Sequence, residues 1–302
     1  MPVKIISDST CDLSQELLRK YDIEVAPLTV TLGNRSGPDG AEITPEDIYR
    51  YVETSGQLPK TSAVNLMAYE ALFRKWREKG FEIIHFCISS EFSSSWQNAC
   101  VAAQETGGVY PVDSRNLSTG QGLTVLKAAE MAMTGASVEE ILRTCADMIP
   151  RVEASFVANS IDYLYKGGRC SALAALGANM FHIKPCIEVQ DGTMVPRKKY
   201  RGSIQKVICA YVEDRLKGRT DIDLKRIFIT HTRCREETVE TVRRLIRQYQ
   251  PGIEEILETT AGATITTHCG PETLGILFLS CFLSAFYLCY FITFEPFASP
   301  QG

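Results

Sequence analysis

The chain has 302 residues, 45% of them hydrophobic and 23% charged, which is enough for two globular domains of ordinary size. Its formal net charge of −4 argues against a nucleic-acid-binding protein, since such proteins carry clustered basic surface. Eleven scattered cysteines indicate reduced thiols, and four widely spaced histidines form no metal-binding motif, so no metal site is expected. The start MPVKIISDST lacks the apolar segment of a signal peptide, so a cytoplasmic location is expected.

The first 150 residues alternate short apolar segments with helical patterns. VKIIS, EVAPLTVTL, EIIHFCI and VYPVD are typical of strands, and helical periodicity lies between them. Thr44, Pro45 and Asp47 together predict the start of a helix. Strands that alternate with helices predict an α/β domain over residues 1–150, with a mostly parallel sheet and flanking helices.

The pattern changes in the second half of the chain. Ser137 and Glu140 form a capping box for a helix that ends near residue 150, and SALAALGANM is helical in pattern. Two extended segments joined by Asp191-Gly192 predict an antiparallel hairpin. A hairpin within α/β material predicts a second α/β domain with a mixed sheet, residues 151–278, and leaves 279–302 as an apolar extension.

Small polar residues follow three of the predicted strands, at Ser7–Thr10, Ser89–Ser95 and Asp113–Ser114. Ligands of open parallel sheets bind beyond the carboxyl ends of the strands, so these residues are candidates for a binding crevice. A rim of hydroxyls with little charge suits a carboxylate held by neutral donors, although the same residues also serve as ordinary helix caps. Serine hydrolysis is an alternative in which Ser93 is the nucleophile and His268 the base, but no G-x-S-x-G elbow is present.

Two further stretches, YLYKGGRCS and VPRKKYRGS, stand out for their glycines and basic residues. The paired glycines Gly167 and Gly168 permit either an anion-binding nest beside Arg169 or a plain helix C-cap. The basic cluster from Arg197 to Arg201 is either a solvated face or a docking patch for a partner.

These motifs occur together, and in the same order, in one known family. The chain resembles the DegV family of bacterial lipid-binding proteins, which includes the fatty-acid-binding subunit of fatty acid kinase. The resemblance covers roughly residues 3–278 and rests on SDST, PKTS, SSEFSSSWQNA, VDS with GQG, YLYKGGRCS, IKPC and HCGPETLG. It implies a two-domain DegV-like fold with a long-chain fatty acid in a buried tunnel.

The resemblance also implies a function and a set of site residues. Such proteins carry out no chemistry and need no cofactor; they present the fatty acid to a separate ATP-dependent kinase subunit, hold the resulting acyl phosphate, and make at most transient contact with a membrane surface. Ser94 and Ser95 are expected to cap the following helix. Aligned on the motifs, the carboxylate-binding positions are Thr61, Ser62, Ser93 and His268, and Arg169 and Arg201 match basic positions that serve the head group or the partner.

Five residues depart from the family pattern. Glu91 replaces a glycine and would oppose a bound carboxylate unless it faces solvent. Ser94-Ser95 replaces Gly-Thr, Trp96 replaces a tyrosine and is expected to narrow the tunnel, and Glu272 replaces a small residue. Lipid binding remains the expected function.

The C-terminal stretch Ile276–Phe294 contains no charged residue in 19 positions. A bilayer span needs roughly 20 such residues, but a strand over Thr273–Phe278, as the resemblance implies, would leave the span to begin at Leu279. We therefore predict a packed apolar helix or a non-native extension rather than a membrane span. A membrane-tethered interaction module is the alternative that this stretch keeps open.

Overall fold

The computed structural model describes residues 1–173 and 183–281. Within them the chain forms three sheets, which helices cover and connect. In chain order the strands and α-helices are β1 (Val3–Asp8), α1 (Gln15–Lys20), β2 (Glu24–Ala26), β3 (Thr29–Leu32), β4 (Arg35–Pro38), α2 (Pro45–Ser55), β5 (Lys60–Ser62), α3 (Leu66–Arg77), β6 (Glu82–Cys87), α4 (Ser95–Thr106), β7 (Val109–Asp113), α5 (Ser118–Met133), α6 (Val138–Met148), β8 (Val152–Val157), α7 (Asp162–Lys166), β9 (Lys184–Gln190), β10 (Thr193–Tyr200), α8 (Ile204–Leu216), β11 (Ile222–Thr232), α9 (Glu236–Tyr249), β12 (Glu255–Thr260), α10 (Ala263–Cys269) and β13 (Thr273–Ser280).

The first sheet is the parallel sheet that the alternating pattern predicts. Its four strands lie in the order β2-β1-β6-β7 and are all parallel. Helices cover both faces: Ile6 of β1 packs with α3 and α4, whereas its neighbour Ile5 packs with α1, α5 and α6 on the other side. Burial on both faces explains why the strands are almost uniformly apolar in sequence.

The prediction of one strand across EVAPLTVTL is wrong. Glu24–Ala26 joins the parallel sheet, but Thr29–Leu32 turns away and forms a small antiparallel sheet in the order β4-β3-β5. Pro27 separates the two strands, and a proline offers no N–H to continue a ladder of hydrogen bonds. The small sheet pairs Val30 with Thr61 and so fixes the position of a predicted site residue.

The second half of the chain forms the predicted mixed sheet, with strand order β10-β9-β8-β13-β11-β12. Only β11 and β12 pair in parallel, and the hairpin at Asp191-Gly192 joins antiparallel β9 and β10 as expected. The first strand of this sheet begins at Val152. The division of the chain into domains at residues 150/151 stays a prediction.

Two predicted helix starts are confirmed, and two predictions fall outside the described residues. Both capping boxes form, with Thr44 and Asp47 at α2 and with Ser137 and Glu140 at α6. The helical pattern SALAALGANM lies mostly outside the described residues, as do residues 282–302. Leu279 and Ser280, which the prediction placed in the extension, belong to β13 instead, and no described helix is long and apolar enough to cross a membrane.

A cleft lined by candidate residues

A cleft lies where the small sheet, the ends of the parallel strands and helix α10 meet. Its empty volume is about 490 Å³, including the part that opens to solvent. Five of the six predicted site residues line it: Thr61, Ser62, Ser93, Arg169 and His268. The rest of its lining is mainly apolar, from Leu28, Ala63, Ile88, Phe92, Leu117, Met194, Thr264, Ile265 and Cys269.

Thr61 and His268 form the polar centre of the cleft. Thr61 sits on β5 and His268 on α10, 207 residues apart, and Thr61 Oγ1 lies 2.8 Å from His268 Nε2. Burial, and secondarily the charge of Arg169, lowers the pKa of His268 from 6.5 to about 4. The imidazole is therefore neutral near pH 7 and offers a hydrogen bond, not a positive charge, to whatever occupies the cleft.

A glycine makes room for this imidazole. His268 Nδ1 is buried and has no hydrogen-bond partner, and a Cβ at Gly167 would lie 2.6 Å from it. Real Cβ atoms do not approach that closely, so a side chain at position 167 would displace the histidine. Gly167 is thus required here by close packing, not by an unusual backbone angle.

The five serines between Ser89 and Ser95 have separate roles. Ser89 Oγ donates to the carbonyl oxygen of Gly192 in the β9-β10 hairpin, at 2.8 Å, and Ser90 Oγ donates to Asp113, at 2.6 Å. Both are structural contacts between loops. Of the five, Ser93 is the one that lines the cleft.

Ser93 is held by its own loop. Its Oγ accepts a hydrogen bond from the backbone N–H of Ser95, at 3.2 Å, and lies 3.0 Å from Ser95 Oγ, which is fully buried. The prediction that Ser94 and Ser95 cap α4 is wrong in detail. Ser94 occupies the N-cap position but its exposed side chain makes no cap hydrogen bond, and Ser93 satisfies the Ser95 N–H instead.

The other polar loops at the ends of the strands do not reach the cleft. Ser7 Oγ accepts a hydrogen bond from Gln121 Nε2 at 2.9 Å, and Thr10 Oγ1 donates to Gln121 Oε1 at 3.1 Å. Asp113 accepts hydrogen bonds from the Ser90 side chain and from the backbone N–H of Arg115. The polar side chains of these two loops therefore form hydrogen bonds with Gln121 and Ser90 inside the protein, and not the helix caps of the alternative interpretation.

Arg169 and Arg201 occupy different surroundings. Gly167 N and Gly168 N donate to carbonyl oxygens of α7, so the glycine pair ends that helix, as the C-cap interpretation expects, and Gly168 has φ +69°. Arg169 is exposed at the cleft, where its Nη1 donates to Gly167 O at 2.8 Å. Arg201 is exposed beyond β10 and does not line the cleft.

The Ser93–His268 dyad of the hydrolase alternative is not formed. Ser93 Oγ bonds to Ser95, and His268 Nε2 pairs with Thr61. His268 Nδ1 also has no carboxylate to orient it. The contacts thus favour a site that binds a polar group over one that activates a serine.

One cluster of potential metal ligands occurs in residues 1–173 and 183–281. Donor atoms of Asp8, His85 and Cys87 lie within 4.8 Å of one another, and all three residues are buried in strands β1 and β6 of the parallel sheet. Asp8 already accepts hydrogen bonds from Tyr69 OH at 2.6 Å and from Ile88 N at 3.1 Å. His85 packs edge-on against Tyr69, as a core residue does.

A second cavity adjoins the cleft. Its empty volume is about 390 Å³, including the part that opens to solvent, and it shares Leu117, Ile265 and Cys269 with the cleft. Phe156 and Leu277 form part of its wall, beneath the mixed sheet. The cleft that holds the polar pair therefore lies next to a second, largely apolar cavity.

The departures from the family pattern leave the cleft intact. Glu91 is exposed and lies 3.4 Å from Arg115 Nη1, so its charge faces away from the cleft. Trp96 packs on the core cluster behind β6 and is not part of the lining. Glu272 accepts a hydrogen bond from Asn159 at 2.7 Å.

The apolar walls of the site are what the sequence analysis missed. Phe92, Met194 and Ile265 line the cleft, yet nothing in their sequence context separates them from ordinary core residues. The run of mostly small residues ATITTHC before Gly270 is the sequence feature that could have indicated Thr264 and Ile265 as lining residues. It marks a helix that packs closely on both halves of the chain.

Comparison with known proteins places the chain in a family. The DegV family model, described as an uncharacterised protein of that family, matches residues 2–280. A curated fatty acid-binding protein of Thermotoga maritima is 32% identical over 283 residues, covering 91% of this chain and 96% of that protein. The solved DegV family protein of Thermus thermophilus, described by its fatty acid binding, has TM-score 0.83 at 28% identity, covering 93% of this chain and 100% of that one. A stearic acid-binding protein of Eubacterium ventriosum has TM-score 0.79 at 25% identity, covering 92% and 98% of the two chains. The chain belongs to the DegV family.

Proposed function

We propose that this protein binds a long-chain fatty acid, with the carboxylate in the cleft and the acyl chain in the second cavity. The observation that carries the proposal is the Thr61–His268 pair, 2.8 Å apart, in a cleft that shares three wall residues with a second, largely apolar cavity. Ser62 and Ser93 add hydroxyls from two other loops. Similarity to proteins described as fatty-acid-binding supports the same assignment.

The chemistry of the cleft suits a single carboxylate. Hydroxyls of Thr61 and Ser93 can donate to a carboxylate, and a neutral His268 can donate from Nε2 to Thr61 Oγ1 and so leave the Thr61 proton for the ligand, while Arg169 at the opening supplies the positive charge. Neutral donors cost less to bury than charged ones, so such a site can lie deep in the protein without a paired anion. The apolar walls gain stability by removing the acyl chain from water.

We further propose that the protein acts as a carrier in the cytoplasm, without turnover of its own. In this role it presents the carboxylate to a separate ATP-dependent fatty acid kinase and then holds the acyl phosphate. The opening of the cleft beside exposed Arg169 supports access from outside, and exposed Arg201 is available to a partner. The resemblance to the fatty-acid-binding subunit of such kinases supports this part of the proposal.

Solvent extraction and mass spectrometry of the protein purified from bacteria test the binding function directly. We expect one long-chain fatty acid per chain and no bound nucleotide. Recovery of no fatty acid, together with no binding of added stearic acid, would refute the proposal.

The carrier role is tested by turnover measurements. Alone, the protein should hydrolyse neither acyl esters nor ATP; with a fatty acid kinase subunit and ATP it should support acyl-phosphate formation. Esterase activity that disappears in Ser93→Ala would instead establish the hydrolase alternative.

A further inference from the structure

We infer that two buried carboxylates, Asp12 and Asp39, are positioning residues that anchor helix α10 and thereby place His268 against Thr61. Neither residue lines the cleft. Both come from the first 40 residues, whereas α10 comes from the last part of the described chain. The inference concerns the site of the proposed fatty-acid binding. One of the two quantities that test it, the affinity for stearic acid, rests on that proposed function.

The two carboxylates take up the first N–H groups of the α10 segment. Asp12 Oδ1 accepts from Gly262 N at 2.8 Å. Asp39 Oδ1 accepts from Ala263 N at 2.8 Å, and its Oδ2 accepts from Thr264 N at 3.3 Å. The first turn of a helix leaves its N–H groups unpaired, so these contacts hold the end of α10 in place and are favoured by the helix dipole.

Each carboxylate is itself fixed by a serine. Ser9 Oγ donates to Asp39 Oδ2 at 2.8 Å, and Ser118 Oγ donates to Asp12 Oδ2 at 2.6 Å. Asp12 and Asp39 are only 6% and 5% exposed, so their contacts are shielded from solvent. The anchor therefore consists of two serine–carboxylate pairs, both supplied by the N-terminal half of the chain.

The backbone around Asp12 is strained in a way that this contact explains. Asp12 has φ +50° and Ser118 has φ +52°, both in the left-handed region that most side chains avoid. Such strain persists only where the surrounding structure imposes it. Here the left-handed backbone conformations of Asp12 and Ser118 place their side chains in contact, and Asp12 in turn accepts the hydrogen bond from Gly262 N.

Gly262 allows both carboxylates to approach. A Cβ at this position would lie 3.2 Å from Asp12 Oδ1 and 3.3 Å from Asp39 Oδ1. Helix α10 has seven residues, and its other contacts bury all of them except His268. A shift of its first turn is therefore passed along a short, rigid element to His268, less than two turns away.

The test uses Asp39→Asn, because an amide in place of the carboxylate would turn an N–H donor toward Thr264 N or Ser9. Asp12→Ala is the second test variant, because it removes the acceptor of Gly262 N and of Ser118 Oγ together. Asp12→Asn is the conservative variant at the same position, since an asparagine retains an oxygen for Gly262 N. The matched control is Glu140→Gln, which weakens an exposed helix cap of α6, away from the cleft.

Two readouts are compared with urea unfolding. The first is the pKa of His268 in the ligand-free protein, followed by NMR and assigned with His268→Gln. The second is the affinity for stearic acid. In Asp39→Asn we expect the pKa to rise from about 4 toward 6.5, as α10 loosens and water enters, and the affinity to fall about tenfold. Asp12→Ala should move both readouts in the same direction, with a smaller change in Asp12→Asn, and Glu140→Gln should change neither readout.

The role of either aspartate is overturned if Asp39→Asn or Asp12→Ala, respectively, loses stability as the control does but keeps both the His268 pKa and the affinity. If Asp39→Asn does not fold, Gly262→Ala replaces it, because its Cβ forces the first turn to move by only a few tenths of an ångström. The pKa readout needs no ligand. A protein that bound no fatty acid would therefore refute the proposed function while leaving the anchoring role open to this measurement.

Discussion

Removing the Thr61 hydroxyl, by Thr61→Val, should both weaken fatty-acid binding and destabilise the ligand-free protein. Thr61 Oγ1 is the partner of His268 Nε2, and His268 Nδ1 is already buried without a partner. The variant would leave both ring nitrogens unpaired. A buried polar group that loses its partner costs about 1–3 kcal/mol, so the free energy of unfolding should fall by that amount.

The binding effect is separate from this stability effect. If Thr61 donates to the bound carboxylate, its loss removes a hydrogen bond to a charged group, worth about 1.5–3 kcal/mol. The affinity for stearic acid should then fall by about one to two decades. Urea unfolding gives the first quantity and equilibrium binding gives the second.

Thr264→Val is the matched control. Thr264 lines the same cleft, but its Oγ1 is buried without a hydrogen-bond partner, so replacing the hydroxyl with a methyl leaves no group unpaired. This variant should be neutral or stabilising by about 1 kcal/mol. Equal losses of stability in Thr61→Val and Thr264→Val would refute the reasoning, because the pairing with His268 would then carry no special weight.

Three further predictions follow from the same contacts. Ser93→Ala should weaken stearic acid binding by about one to two decades. Ser94→Ala should leave the affinity unchanged, because the exposed Ser94 side chain makes no helix-cap hydrogen bond. Equal losses of affinity in the two variants would remove Ser93 from the head-group site. The pKa of His268 is about 4 in the folded protein, below its ordinary value of 6.5. Between pH 6.5 and pH 4 the unfolded chain therefore binds the proton more readily than the folded one, and the free energy of unfolding falls as the pH drops through this window. Relative to His268→Gln, urea unfolding should show a loss of up to about 3 kcal/mol across that window, and parallel curves would contradict the neutral imidazole. Removing residues 282–302 should leave a soluble protein that binds stearic acid. Removal from Leu279 onward should also lower the free energy of unfolding, since Leu279 is buried in β13 and pairs with Val152. If the full chain associates with membranes and the shorter deletion abolishes that association, the tail is an anchor.

Local chemistry made several features of this chain predictable. The boxes at Thr44 and at Ser137 begin helices because each satisfies N–H groups within four residues, and Asp191-Gly192 makes its turn regardless of the rest of the fold. The apolar strands of the first half read as a parallel sheet because both of their faces are buried. The family resemblance, through the order of its motifs, assigned Thr61, Ser93 and His268 to one site from the sequence.

Other features depend on distant parts of the chain. EVAPLTVTL has strand character throughout, so only the pairing partners of its two halves, β1 and β4-β5, decide that it splits at Pro27. The hydroxyls of Ser7 and Thr10 look like those of Ser93, but Gln121 takes them into the interior.

What the sequence by itself determined, then, is the set of elements and the polar residues available for a head group, since these follow from neighbours within a few positions. Tertiary structure alone decided which aliphatic side chains form the walls of the cleft, that the hydroxyls of Ser7 and Thr10 bind Gln121 away from it, and that His268 is neutral. The physical reason is that orientation, cavity shape and desolvation arise from contacts such as Thr61 with His268, made between residues 207 positions apart.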